Sequence, residues 1–191
     1  MTRSKLILAS ASPRRLDLLG RIGVAPDTVL PAEIDETPLK GELPAPHAER
    51  LAAAKAAAVH VKGTLTLAAD TVVAVGRRIL PKAEDEATAQ NCLELLSGRR
   101  HRVHSAVTLI DAAGKARHRL STTIVALKRL TAEEIADYLS TGEWQGKAGG
   151  YAIQGRAEAF VRFLSGSHSG VVGLPLFETR ALLIAAGYPL G

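Results

Sequence analysis

The stretch LILASASPRRLDLL, residues 6–19, indicates a short buried strand, a tight polar corner and the first turns of a helix. Ser12 is placed to cap that helix, and Pro13 falls at its first helical position, where proline is favoured. Backbone N–H groups, two hydroxyls and the guanidiniums of Arg14 and Arg15 would then meet at the positive end of the helix. Such a corner suits phosphate oxygens and predicts the floor of an active site, although an ordinary capped helix with solvated arginines is the alternative.

The composition is typical of a globular protein. The chain has 191 residues, of which 47% are hydrophobic and 23% charged, enough for one domain with a substantial core. The net charge of +5 favours a polyanionic ligand, either a nucleotide or a nucleic acid. Because aromatic residues make up only 4% of the chain, stacking of single-stranded bases is disfavoured. We therefore expect one domain over residues 1–191, with a nucleotide ligand and no nucleic-acid partner.

Cysteine and histidine give no sign of a metal centre. Cys92 is the only cysteine, so no internal disulfide can form, as is usual in the reducing cytosol.

The apolar run at residues 6–9 is too short for a signal peptide, and no run approaches the roughly 20 apolar residues that cross a bilayer. We expect a cytoplasmic protein without a membrane partner. Four histidines are expected at the surface: His47, His60, His104 and His118.

The strongest strand, LTLAADTVVAV at residues 65–75, contains a single charged side chain, that of Asp70. An ionised carboxylate inside an apolar strand is costly unless it is paired or coordinates a metal. A structural salt bridge, a general base and a metal ligand are therefore all open for Asp70. We favour the last two, because they use the charge.

Two further charged features precede this strand. An acidic turn contains Glu33, Asp35 and Glu36, which could bind a cation or form a solvated loop. The alanine-rich helix predicted at residues 44–62 places Lys55 on its apolar stripe. The Lys55 ammonium would reach either solvent or a cleft that binds phosphate.

A second informative loop, EWQGKAGGYAIQG, spans residues 143–155. Its four glycines allow the backbone to approach a ligand closely, and the amide of Gln154 offers a donor and an acceptor to the edge of a base. Glycine-rich loops are also often merely flexible. We call residues 143–155 the glycine loop.

Strands alternate with helices and hairpins are present, which predicts an α/β fold around a mixed sheet with flanking helices. The other helices are predicted at residues 84–97, 131–141 and 176–186, and strands at residues 103–110, 120–127 and 160–164. Positive charge comes from Arg14, Arg15, Lys55, Lys82 and Lys147, and negative charge from Glu36 and Asp70. Phosphoryl transfer needs this set of groups: cations for a polyphosphate, and carboxylates to hold Mg²⁺ and activate water.

The sequence resembles the Maf family of nucleotide pyrophosphatases along nearly the whole chain. The motifs that carry the resemblance are LASASPRR at residues 8–15, Asp35-Glu36, Lys55, ADTVV at 69–73, Lys82, Leu96-Ser97-Gly98 with His101, KAGGYAIQG at 147–155 and VVGLP at 171–175. The resemblance implies a cleft between two lobes, similar to inosine triphosphate pyrophosphatases. It also implies hydrolysis of a nucleoside triphosphate to the monophosphate and pyrophosphate, with Mg²⁺ or Mn²⁺ as cofactor.

The same resemblance implies roles for individual residues. Asp70 is similar to the family's proton acceptor and Glu36 to a catalytic or metal-binding carboxylate, so both are candidate metal ligands. Four residues are similar to the phosphate site, namely Ser10, Arg15, Lys55 and Lys82, and Lys147 is a further candidate for substrate binding. Arg14, Thr71 and Gln154 match positions associated with base choice in the dTTP and UTP branch.

Gln154 resembles that branch rather than the 7-methyl-GTP branch, in which an acidic residue is usual. The chain departs from the family at Pro81-Lys82-Ala83, where Gly-Lys-Pro is common. We expect a pyrophosphatase for dTTP, UTP or modified pyrimidine nucleotides. A 7-methyl-GTP pyrophosphatase and a non-catalytic nucleotide-binding regulator of division are the alternatives, and a homodimer is the candidate assembly.

Overall fold

The computed structural model describes residues 4–190, which contain seven β-strands in one sheet. In chain order the strands are Leu6–Leu8 (β1), Thr28–Val29 (β2), Leu65–Val75 (β3), Arg78–Ile79 (β4), Arg100–Ile110 (β5), Ala116–Leu127 (β6) and Val161–Ser165 (β7). The α-helices of these residues are Pro13–Arg21 (α1), Pro44–Val59 (α2), Glu86–Leu96 (α3), Ala132–Ser140 (α4), His168–Val172 (α5) and Leu176–Ala185 (α6). A 3-10 helix spans Arg156–Phe160.

The sheet is mixed, which confirms the predicted α/β class. Its strand order is β2-β1-β3-β5-β6-β7, and β4 pairs with β3 outside this path. β1 runs parallel to β2 and β3, whereas β5, β6 and β7 each pair antiparallel with the preceding strand of that order. The parallel pair of β1 and β3 requires a crossover, and α2 lies in that connection.

The two faces of β3 pack against different partners, because successive side chains of a strand point to opposite faces. Leu67 and Val73 enter the large core that includes α3, while Ala68 and Val72 pack against alanines of α2. The alternation places Asp70 on the α2 face. The buried alanines of α2 are small enough for the helix to lie close to this face: Ala48, Ala52 and Ala56.

One edge of β3 is left open in its middle. β1 ends at Leu8, opposite Leu67, and β4 begins to pair only at Ala74. Among the described residues, β5 pairs with the other edge of β3 throughout, but no strand pairs with this edge between these two points. Asp70 therefore sits in a gap of the sheet, where a polar side chain can reach a cleft.

Several element boundaries differ from the sequence prediction. β5 and β6 begin earlier than predicted, because backbone pairing from Arg100 to Ile110 and from Ala116 to Leu127 continues through exposed polar residues. α3 begins at Glu86, since Asp85 Oδ1 accepts a hydrogen bond from the Thr88 N–H. α2 ends at Val59 rather than residue 62, and α6 at Ala185.

The region after residue 155 contains two elements that periodicity did not indicate. The 3-10 helix Arg156–Phe160 displaces the start of β7 to Val161, and α5 occupies part of a segment predicted as a polar loop. Ser167 Oγ accepts the Gly170 N–H and so caps α5. A helix of five residues is too short to show an apolar period.

Two of the histidines expected at the surface are buried. His47 contacts Glu42 and His104 contacts the Thr122 hydroxyl, and these hydrogen bonds allow burial of the imidazoles. Within residues 4–190, no helix combines the length and the apolar character that crossing a membrane would demand.

Candidate active site

A cleft of about 470 Å³ opens at the gap in the sheet. All ten side chains that the sequence predicts for the site line it: Ser10, Arg14, Arg15, Glu36, Lys55, Asp70, Thr71, Lys82, Lys147 and Gln154. The positions come from six separate parts of the chain. The fold therefore brings together the groups that the sequence singled out.

The polar corner after β1 is held by Ser10 rather than Ser12. Ser12 occupies the N-cap position of α1 and Pro13 follows it in the first turn, as predicted, but the Ser12 side chain makes no capping hydrogen bond. Instead, Ser10 Oγ accepts the Ser12 N–H at 3.1 Å and Arg15 Nη1 at 3.2 Å. The hydroxyl thus ties the backbone turn to the guanidinium.

Backbone carbonyls at the end of α5 orient both arginines. Arg15 Nε donates to the Gly173 carbonyl at 2.8 Å, and Arg14 Nε lies 3.4 Å from the Val172 carbonyl. Burial lowers the pKa of Arg15, while attraction to Asp70 raises it. Arginine is not deprotonated in proteins, so the Arg15 guanidinium stays charged.

Lys55 resolves the two orientations left open for it, since its ammonium points into the cleft. Its Nζ atom lies 2.7 Å from Asp70 Oδ1 and 2.7 Å from Glu36 Oε1. Lys55 therefore bridges the two carboxylates, one from the strand and one from the acidic turn. Asp70 is paired, as a buried carboxylate must be, and it still lines the cleft.

Lys82 extends this chain of charges on the outer side. Its Nζ atom lies 2.5 Å from Glu36 Oε2. Burial raises the pKa of Glu36, but hydrogen bonds from Lys55 and Lys82 outweigh it and lower that pKa to about 2. Glu36 is consequently an anion held between two lysines.

The backbone around Lys82 is fixed despite the departure at Pro81 and Ala83. Lys82 forms an antiparallel bridge with Ala148. The Ala83 N–H donates to the Lys147 carbonyl at 3.0 Å, and the Gly149 N–H donates to the Pro81 carbonyl at 3.0 Å. These backbone contacts hold the Lys82 position against the glycine loop.

Buried aromatic side chains anchor the glycine loop. The Ala152 N–H donates to the Tyr138 hydroxyl at 2.9 Å, and Trp144 Nε1 donates to the Leu139 carbonyl at 2.8 Å. The Tyr151 hydroxyl lies 2.7 Å from His101 Nε2. Gln154, by contrast, is exposed beside the cleft, so its amide is presented by an anchored backbone.

Thr71 and Lys147 complete the predicted set. Thr71 Oγ1 lies 3.4 Å from the Gly173 carbonyl, the same carbonyl that Arg15 uses. Lys147 Nζ donates to the Gln145 carbonyl at 2.8 Å, and burial lowers its pKa. Both residues thus lie in the cleft with their polar atoms partly engaged by backbone.

The sequence reasoning missed Tyr151 and the carbonyls of Val172 and Gly173. Tyr151 lines the cleft within a motif that was quoted only for its glycines and Gln154. The VVGLP motif at residues 171–175 was quoted without a role. Its glycine, with φ of +143°, marks the backbone turn that presents these carbonyls to the arginines.

Comparison with known proteins agrees with this geometry. A family model described as Maf-like protein matches residues 5–186. The chain is 66% identical over 185 residues to a protein of Novosphingobium aromaticivorans named dTTP/UTP pyrophosphatase, covering 96% of this chain and 92% of that protein. A protein of the same name from Rhodospirillum rubrum is 62% identical over 194 residues, covering 100% of this chain and 92% of that protein.

A solved structure shares the fold. A HAM1 protein from Coxiella burnetii superposes with a TM-score of 0.51 at 18% identity, covering 96% of this chain and 100% of that one. At this identity the match concerns the fold alone. The family match and the identity to two nearly full-length relatives show that the chain belongs to the Maf-like protein family.

Proposed function

We propose that this protein is a nucleoside triphosphate pyrophosphatase that hydrolyses dTTP and UTP to the monophosphate and pyrophosphate. The carrying observation is that Asp70 lies in the same cleft as Arg14 and Arg15. A base and an anion-binding corner thus face one space, which a triphosphate can enter. The relatives' name, dTTP/UTP pyrophosphatase, supplies the nucleotides.

Asp70 is the proposed general base. Lys55 engages its Oδ1 atom, and we assign Oδ2 to the water molecule that attacks the α-phosphorus. The water oxygen forms the new bond to phosphorus as the bond from phosphorus to the bridging oxygen breaks. The water proton goes to Asp70 and then to solvent, and pyrophosphate leaves.

Cationic side chains compensate the charge that develops on the departing pyrophosphate. Arg15 is held in place by Ser10 and the Gly173 carbonyl, so its remaining N–H groups are preorganised for phosphate oxygens. Lys82 is half exposed in the same cleft and can transfer from Glu36 to a phosphate oxygen. Lys55 instead fixes the two carboxylates in relation to each other.

The donor set fits a divalent cation. Glu36 and Asp70 provide carboxylate oxygens on either side of one ammonium, and Mg²⁺ and Mn²⁺ bind such hard oxygen ligands together with phosphates. Within residues 4–190, no three His, Cys, Asp or Glu side chains could hold a metal ion together, so substrate phosphates would complete the coordination. A bound cation would supply Lewis-acid charge at the phosphates.

Gln154 is the proposed reader of the base, with Arg14 and Thr71 beside it. The pyrimidine edge of uracil and thymine presents carbonyl acceptors around an N–H donor, which an amide can match. An amide cannot offer the acidic group expected for 7-methylguanine. Gln154 therefore favours dTTP and UTP over 7-methyl-GTP. Separately, we propose that residues 1–191 form one domain, that the protein is cytoplasmic and that it forms a homodimer.

The test is a panel of nucleoside triphosphates that includes 7-methyl-GTP, assayed for pyrophosphate with Mg²⁺ and with Mn²⁺. We expect release from dTTP and UTP, and an Asp70→Asn variant that is about 10²–10⁴-fold slower because it lacks the base. Thr66→Ser serves as a matched change on the same strand, because Thr66 does not line the cleft and the variant leaves the carboxylate intact. If no nucleotide releases pyrophosphate faster than with D70N, the proposal is wrong, and tight binding without turnover by calorimetry would indicate a regulator instead.

A further inference from the structure

Glu36 lies on a segment without regular secondary structure. We call residues 30–43 the acidic segment; it contains neither helix nor strand. The Glu36 carboxylate nevertheless meets Lys55 and Lys82 at hydrogen-bond distance. A segment without helix or sheet hydrogen bonds is more mobile than a regular element. Other contacts are therefore needed to keep the Glu36 carboxylate beside the two lysines.

Glu42, His47 and Arg50 provide such contacts. Arg50 Nε donates to Glu42 Oε1 at 2.7 Å and Arg50 Nη2 to Glu42 Oε2 at 2.8 Å, a two-point pair. His47 Nδ1 lies 2.9 Å from the same Oε2 atom. The Glu42 side chain is only 8% exposed, so solvent screens this pair little.

The same guanidinium reaches the backbone next to Glu36. Arg50 Nη2 lies 3.1 Å from the carbonyl of Thr37, the residue that follows Glu36. Glu42 Oε2 also accepts the Leu39 N–H at 2.9 Å. We call Glu42, His47 and Arg50 the cluster. Its contacts thus hold the backbone at Thr37 and at Leu39, between Glu36 and α2.

The helix α2 carries Lys55 together with His47 and Arg50, the two basic members of the cluster. Arg50 and Lys55 both belong to α2, so the helix sets the distance between the Thr37 carbonyl and the ammonium that meets Glu36. A second cavity of about 210 Å³ is lined by His47 of the cluster and by Glu36 and Asp70 of the cleft. The cluster therefore fixes the backbone that carries Glu36 relative to α2.

We propose that Arg50, acting through Glu42 and the Thr37 carbonyl, is a positioning residue for Glu36. This inference rests on the proposed function. Lysine would keep the charge but cannot bind two carboxylate oxygens and a carbonyl with a planar fork. Arg50→Lys should therefore displace Glu36 while leaving the charge of α2 unchanged.

The decisive experiment is a double-mutant cycle with dTTP that joins Arg50→Lys and Glu36→Gln. We expect R50K alone to lower kcat by about 10–100-fold, the effect of a misplacement on the order of 1 Å, with KM nearly unchanged. In the E36Q background, R50K should change kcat by less than about twofold, because the group that it positions is gone. Equal losses in both backgrounds would overturn the proposal.

Arg117→Lys is the matched control. Arg117 also pairs with a carboxylate, that of Asp111 at 2.6 Å, but it does not line the cleft. We expect R117K to keep kcat within about twofold of the wild type. Glu42→Gln provides a second route to the same loss, and it takes the place of R50K in the cycle if R50K fails to fold.

Hydrogen exchange separates this inference from the proposed function. Residues 36–42 should exchange faster in R50K and E42Q than in the wild type, and at the wild-type rate in R117K, whether or not dTTP is hydrolysed. Unchanged exchange in R50K and E42Q contradicts the positioning role. Absence of turnover in the wild type contradicts the proposed function alone.

Discussion

The two walls of the cleft are held by different physical means. The acidic segment is fixed by charged side chains, in particular the Glu42–Arg50 pair and the link from Glu36 to Lys55 and Lys82. The glycine loop is fixed by buried aromatic residues and by close packing on α3. The comparison indicates that the acidic segment is held in place by charge, while the glycine loop is held in place by close packing.

The largest difference in stability should come from a matched pair of glycines. Gly150 in the glycine loop and Gly41 in the acidic segment both have positive φ, +69° and +76°. A Cβ atom at Gly150 would lie 3.0 Å from the Ala89 Cα atom of α3, whereas nothing lies within 4 Å of one at Gly41. Gly41→Ala should cost about 1–2 kcal/mol of left-handed strain, and Gly150→Ala a further ~1–3 kcal/mol of overpacking.

Urea denaturation of the two variants measures this difference as a change in the free energy of unfolding. Circular dichroism in the absence of nucleotide keeps ligand binding out of the comparison. Equal costs for G150A and G41A would show that the glycine loop can move away from α3, and the contrast between the walls would then be lost.

A pH-dependent effect of intermediate size should come from His101 of β5, which contacts Tyr151 of the glycine loop. Burial lowers the pKa of His101 to about 4, and its Nδ1 atom is buried without a hydrogen-bond partner. The unfolded chain takes up this proton near the ordinary pKa of about 6.5, so stability is full above that value and falls as the pH drops towards about 4. From about pH 7.5 to about pH 4.5, His101 should remove about 2–3 kcal/mol.

His101→Gln lacks this titration and should lose less stability than the wild type over the same pH interval. His118→Gln is the matched control, since His118 is exposed on β6. Chemical denaturation at both pH values gives the difference. A wild type and an H101Q variant with parallel pH dependence would mean that the buried imidazole does not resist protonation.

The contrast between the walls also explains which parts of the molecule the sequence predicted. Asp70 was identifiable because a charge interrupts an apolar strand, and Arg14 and Arg15 because they follow a strand and open a helix. These signals are local. The whole α/β class followed from similar patterns of strand, helix and turn.

The contacts that hold the walls were not predictable, because they join residues far apart in the chain. The His101 and Tyr151 pair spans 50 positions, and Arg14 and Arg15 reach carbonyls 158 positions away. The role of Ser10 in place of Ser12 depends on the turn that follows β1, which side-chain type does not reveal. The role of Arg50 was not predictable either, because the alanine-rich sequence of α2 gives a signal only for the apolar face of the helix.

The smallest effect on stability, with a large effect on turnover, is expected from Lys82→Met. Lys82 is 50% exposed, so its pair with Glu36 should contribute less than about 1 kcal/mol to the free energy of unfolding. Loss of its charge should nevertheless slow pyrophosphate release by about 10²-fold, as removal of a transition-state donor does. Tyr138→Phe is the counterpart in the other wall, because it leaves the buried Ala152 N–H unpaired and should cost about 1–3 kcal/mol. Urea denaturation and dTTP kinetics on both variants test the contrast. A K82M variant that is stable but slow is the expected result and indicates that Lys82 acts in turnover. A K82M variant as destabilised as Y138F would show instead that Lys82 contributes to the stability of the fold.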